Sequence, residues 1–219
     1  MVQNYCVVLG DVVNSRRIED RETFRETLQS TLASINDAFD ESIHAPFTVL
    51  KGVDEIGGVL KSVPPVVEIQ RRLTRALYPQ QIRLAAVVGE IDVNESTGDV
   101  AAMDGEAFAR ADSILADLEA EDLTFRLEGV VSVVDELVSD EINLLDVIRS
   151  EWTERQAEIV SKYDELDSQA AVAESLDISP QAVSNALSKT NGQQLLLVEQ
   201  RLSQTVEGYP SLETEETAK

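Results

Sequence analysis

The first hydrophobic signal along the chain is short and unbroken. In "NYCVVLGDVV", residues 4–13, β-branched and other apolar side chains run together and end at Gly-Asp, the pattern of a buried strand. The period then changes. Phe24, Leu28, Leu32, Ile35 and Phe39 recur at three- and four-residue spacings within residues 18–42, which predicts an amphipathic helix. "APFTVLKG" and "EIGGVLKS" are β-rich runs too close together to hold a helix between them, so they predict a hairpin. Pro64 and Pro65 open "PPVVEIQRRLTRALY", a second helix, because proline is tolerated in a helix's first turn. "QIRLAAVVGEIDV" predicts a strand, "NESTGDVAAM" a loop, "DGEAFARADSILADLEA" a third helix and "LTFRLEG" a further short strand.

The first six elements spell strand, helix, strand, strand, helix, strand. That order predicts a split βαβ unit, an antiparallel sheet with helices on one face. The predicted fold class is therefore α+β: a ferredoxin-like, palm-type βαββαβ domain over residues 1–130, followed by an all-α domain. Charged helical sequence over residues 131–150 connects the two, and residues 206–219 read as a polar, disordered tail.

Residues 151–205 have a different character. Trp152, Ile159, Val160 and Tyr163 mark one helix, "SQAAVAESLDI" a short one, and "GQQLLLVEQRLSQ" a last apolar one. "SPQAVSNALSKT" starts with Ser179 as N-cap and Pro180 at the first helical position. Two short helices separated by "LDIS" predict a helix-turn-helix, similar to the winged or sigma-region-4 type of transcription regulators. Ala170, Val172, Ala173 and Leu176 would pack the first of these helices, with Ile178 in the turn and Val183 and Leu187 anchoring the second. Ser179, Gln181, Ala182, Ser184, Asn185 and Lys189 are then left outward as candidate DNA contacts. Asn and Gln can read adenine edges, and Ser can reach bases or phosphates.

Charge changes this picture. The chain carries 41 acidic and 18 basic residues and a net charge of −23. Dense carboxylates with few lysines are expected of a surface adapted to molar salt, in the cytoplasm of a halophile of haloarchaeal type. Residues 151–205 themselves hold four basic against nine acidic residues. Counterion release would then contribute little to DNA affinity, leaving base contacts and shape to do the reading, or else the unit serves protein contact. One cysteine, Cys6, excludes an internal disulfide and reads as a small core residue. No signal peptide is expected, and no run approaches the roughly 20 apolar residues of a membrane span. His44, in the loop predicted after the first helix, has no evident chemical partner.

The candidate chemistry lies in the hairpin. Asp54 and Glu55 interrupt the apolar run "VLKGVDEIGGVL", and Asp11 ends the first strand. In a split βαβ sheet that strand lies beside the hairpin, so Asp11 and Asp54 are expected at the same end. Two such carboxylates repel, and a shared Mg²⁺ or Mn²⁺ resolves the repulsion. Gly10, Gly52, Gly57 and Gly58 would admit a phosphate close to the backbone, with Arg16 and Arg17 as its partners. The simpler reading gives Asp11 and Asp54 ordinary turn roles, Arg16 and Arg17 surface roles, and Asp104 the N-cap of the third helix.

The layout resembles the palm of nucleotidyl cyclases, although the nucleotide-positioning residues of cyclases find no match. "LGDVVNSRRIEDR", "KGVDEIGGVL", "RLAAVVGEI" and "DGEAFARADSIL", in that order, together with the C-terminal helix-turn-helix, resemble the SatD-like family. The resemblance carries over Gly10, Asp11, Ser15, Asp54, Glu55, Gly58, Gly89, Asp104, Gly105 and Ala111. The hairpin departs from that pattern: Val53-Asp54-Glu55-Ile56 stands where a Gly-Asp-Glu-aromatic run is expected. Gly10, Ser15, Arg16, Arg17, Glu55, Gly58 and Asp104 are the candidate nucleotide contacts. Two functions follow as expectations. One is a dimeric DNA-binding regulator whose first domain senses a nucleotide or metal or simply dimerises. The other is a Mg- or Mn-dependent nucleotide enzyme tethered by its helical unit.

Overall fold

β1 (Tyr5–Val12) takes the centre of the sheet because its side chains are apolar on both faces. Cys6, Val8 and Val12 point into one core, and Tyr5, Val7 and Leu9 into another. The computed structural model describes residues 3–52, 54–210 and 212. Among them the chain forms five strands in one mixed sheet and eight α-helices. β2 (Ile43–Lys51) and β3 (Glu55–Leu60) form the hairpin, and β4 (Ile82–Gly89) and β5 (Phe125–Glu128) complete the order β2-β3-β1-β4-β5. Neighbours are antiparallel except β4 and β5, which run parallel.

Helices cover both faces of the sheet, where the sequence order had predicted one. α1 (Arg21–Ala38), capped by Asp20 accepting from Thr23 N, buries Phe24, Leu28, Leu32 and Ile35 on the same face as α2 (Pro65–Leu77). α3 (Glu106–Glu121) buries Ala107, Phe108, Ala111, Ile114 and Leu118 on the opposite face. The difference follows from β1 and β4. Both are apolar on alternate as well as successive residues, so neither face can be left to water.

α4 (Ser132–Ser150), predicted as a connector, belongs to the fold. Its Asn143 accepts from Thr124 N and Phe125 N and donates to Phe125 O, while Ser139 Oγ accepts from Leu127 N. These side chains take the place of a next strand along the outer edge of β5.

α5 (Glu154–Leu166), α6 (Gln169–Ser175), α7 (Pro180–Thr190) and α8 (Gly192–Val206) follow. Ile159, Val160, Val172, Ala173, Val183 and Leu187 close a separate small core, whereas Ala170, expected in it, is exposed. The chain then returns. Leu202, Val206, Tyr209 and Leu212 are buried in the main core with α1 and α2. Tyr209 Oη accepts from Val130 N at 2.8 Å and donates to Asp135. The expected disordered tail is therefore corrected over this part, because a phenol with partners at its polar end and core at its ring is worth burying. The remainder of that tail, residues 213–219, lies outside the described residues, as does residue 211.

Candidate functional site

The two aspartates do reach the same end of the sheet. Asp11 lies opposite Glu55 in the β1–β3 register, and Val12 N donates to Asp54 O at 3.1 Å. Ser15, buried in the turn after β1, donates its hydroxyl to Asp54 Oδ2 at 2.5 Å. Asp11 faces the α3 side, following Leu9 by the strand's period of two. There it meets a cation: Arg83 of β4, 7 % exposed, reaches Asp11 Oδ2 at 3.4 Å. The other oxygen, Oδ1, is buried without a hydrogen-bond partner. Burial raises the Asp11 carboxyl above its ordinary pKa of 3.8, Arg83 opposes the rise, and Glu119 and Asp54 add to it.

A divalent ion can be held by one or two carboxylates when phosphate oxygens complete its shell. The orphaned Asp11 oxygen and the Asp54 carboxylate fit that limited role. They do not form a complete cage: among the described residues no group of three His, Cys, Asp or Glu side chains is placed to share an ion.

The candidate nucleotide residues do not converge. Arg16 and Arg17 are exposed in the 3₁₀ turn after Asn14. Glu55 is exposed and lies 3.8 Å from Lys51. Gly10 and Gly58 serve packing instead of phosphate approach. A Cβ at Gly58 would sit 2.5 Å from the Phe47 ring, and one at Gly10 2.5 Å from Leu84. Asp104 stands at the other end of the sheet. Its backbone pairs with Val93, just past the Gly89 end of β4 that lies opposite Tyr5. Nor is it the expected N-cap, since Gly105 precedes α3 and Asp104 Oδ1 accepts from Gly105 N. His44 sits within β2, not in a loop, with its ring against Tyr5 and Nε2 2.8 Å from Glu95 O.

The C-terminal candidates lie together on α7. Ser179 spends its hydroxyl on the cap, accepting from Ala182 N. Gln181, Ala182, Asn185 and Lys189 are exposed, and Ser184 is half-buried. Gln181 Nε2 donates to Asn185 Oδ1 at 3.0 Å, which holds the two amides side by side. One feature of this surface escaped the charge count over residues 151–205. Residues 178–198 contain no aspartate or glutamate, in a chain with 41 of them. The equally acid-free residues 69–89 differ in that they end in the buried strand β4.

The seam that joins α2 and α4 to α5 and α8 was also missed. Arg75 of α2 pairs with Asp164 of α5 and Glu199 of α8, and Arg149 of α4 pairs with Asp146 and the same Glu199. Glu199 and Arg149 are buried. In the sequence they look like ordinary helix-surface charges, and the available signal was their place on otherwise apolar helix faces.

The chain belongs to the SatD family, which matches residues 5–206. No curated protein matches it. Among solved structures it is similar to a bacterial light-regulated adenylyl cyclase, at 14% identity and TM-score 0.41, over 58% of this chain and 76% of that one. It is also similar to a regulator of polyketide synthase expression from Bifidobacterium adolescentis, at 14% identity and TM-score 0.30, over 94% of this chain and 82% of that one. Likeness at this level does not carry function. Among the described residues no helix is long and apolar enough to cross a membrane.

Proposed function

We infer that the chain is a sequence-specific DNA-binding regulator that reads the major groove with α7. The carrying observation is the acid-free stretch of residues 178–198, which holds the exposed side chains of α7, in a chain of net charge −23. A helix laid in the major groove is flanked by phosphates, and a carboxylate there would be repelled. Gln181 and Asn185 are the base-reading pair, with Lys189 near the backbone. The capped, closely spaced α6 and α7 support a helix-turn-helix, and the antiparallel run β2-β3-β1-β4 supports a ferredoxin-like palm before it. The acid excess elsewhere fits a halophile's cytoplasm.

In this reading the palm is a sensor. Asp11 and Asp54 hold Mg²⁺ or Mn²⁺ carrying a nucleotide's phosphates, with Ser15 fixing Asp54. Arg16 and Arg17, exposed in the turn that follows Ser15, are free to swing toward the phosphates, and Glu55, Gly10, Gly58 and Asp104 are not needed. The orphaned Asp11 Oδ1 is also the observation that favours a second reading, a metal-dependent nucleotide enzyme. The regulator works as a pair of copies joined along α4, whose outer face exposes Val133, Leu137, Leu144 and Val147.

The test is selection of genomic DNA fragments by the full chain in about molar KCl, where the counterion contribution is largely suppressed. Wild type should enrich a defined set, and a variant with Gln181→Ala and Asn185→Ala should lose it. No enrichment by wild type, together with turnover of a nucleoside triphosphate in Mn²⁺, would replace the regulator with the enzyme.

A further inference from the structure

The seam that ties α5 and α8 to α2 and α4 is not closed. A cavity of about 250 Å³ lies between α2, the end of α4, α5 and α8. Its walls include Tyr78, Trp152, Ala157, Val160, Leu195 and Leu196. Interiors elsewhere are packed to near crystal density, and apolar cavities of roughly 150 Å³ already hold a benzene-sized molecule. This one has room for a single ring and a short substituent.

The charged groups at the cavity decide what the ring can carry. Arg75 is held by Asp164 and by Glu199 at 2.8 Å, and Arg149 by Asp146 at 3.0 Å and by Glu199. Lys162 pairs with Glu165 at 2.6 Å and Glu158 with Arg155 at 2.5 Å. Glu154, exposed in the first turn of α5, lines the cavity near Tyr78 but stays solvated, so it offers a cationic ring only a weak, screened partner. An anionic ligand would find each of these cations already paired, and a charge brought in without a partner costs more than the contact returns. Tyr78 Oη, which donates to Trp152 O at 2.5 Å, holds two of the walls to each other.

We propose that this cavity binds an uncharged, planar, apolar small molecule of one-ring size, held between Tyr78, Trp152 and the apolar faces of α5 and α8. The site stands on the cavity and its paired charges and does not rest on DNA binding. Any effect of the ligand on α7 does rest on that reading.

Trp152 is the only tryptophan in the chain, so its emission reports on the cavity alone. The full chain in about molar KCl is titrated with benzyl alcohol, benzoate and benzylamine. Benzyl alcohol should change the emission saturably, and each charged ring should bind at least about tenfold more weakly. Ala157→Leu, which fills the cavity from a half-buried position, should abolish the saturable response while far-ultraviolet circular dichroism stays unchanged. A linear response to benzyl alcohol would overturn the proposal. So would a charged ring that binds as well as the neutral one, or an undiminished response in a folded A157L. Saturable binding alongside failed DNA selection would leave the cavity site standing and remove the regulator.

Discussion

Burial raises the proton affinity of the Asp11 carboxyl, yet the chain keeps that carboxyl beside Arg83 with one oxygen unpartnered. A residue needed only to balance Arg83 would be expected to use both oxygens. The proposed metal role gives the second oxygen an occupant. With Mn²⁺ and a nucleoside triphosphate added together, thermal unfolding of wild type should move up by about 2–4 °C, the shift expected for about 1 kcal/mol in a chain of this size. Asp11→Asn should show none of that shift. An equal shift in both proteins, or none in wild type, would make Asp11 a structural partner of Arg83. The sequence showed this meeting of Asp11 and Asp54 through topology alone. It did not show that Gly58 makes room for Phe47, or that Asp104 lies at the far end of the sheet, because both facts depend on register.

At the scale of elements, the helices with a three-and-four spacing of apolar residues were legible, and α1 buries four of the five residues that announced it. The edge of β5 was not legible. Its outer backbone is satisfied by Asn143 and Ser139, and a polar residue on a helix gives no sign that it faces a strand instead of water. Asn143→Ala would leave Thr124 N, Phe125 N and Phe125 O without their partner. At about 1–3 kcal/mol for a buried unsatisfied group, less some relief from water at the edge, urea unfolding should show a loss of roughly 3 kcal/mol. Leu144→Ala, its exposed neighbour, should stay within about 0.5 kcal/mol. Similar losses for the two would mean that α4 does not close the sheet edge. The return of the chain was hidden for a related reason. Tyr209 and Leu212 sit in polar sequence yet are buried in the main core, and Tyr209 is held there by the backbone of Val130 and the carboxylate of Asp135, both distant along the chain.

The whole molecule sets two demands against each other. A net charge of −23 drives copies apart in dilute buffer, while α4 offers Val133, Leu137, Leu144 and Val147, each more than half exposed, as a surface to cover. Asp140 and Glu141 sit in the middle of that stripe, and burial already raises the pKa of Glu141. Two α4 helices pairing through this face would bring these carboxylates near their symmetry mates. That repulsion acts over a Debye length of about 10 Å at 0.1 M salt but only about 3 Å at 1 M. Pairing along α4 therefore predicts a salt-dependent dimer, and with it two α7 helices able to engage a two-fold DNA site. Sedimentation should show a single copy in 0.1 M KCl and a pair near 1 M. The double substitution Leu137→Glu with Leu144→Glu should hold the chain as a single copy at both. Should the variant pair as readily as wild type in molar salt, α4 is not the joining face, and the stripe must be explained by a different partner.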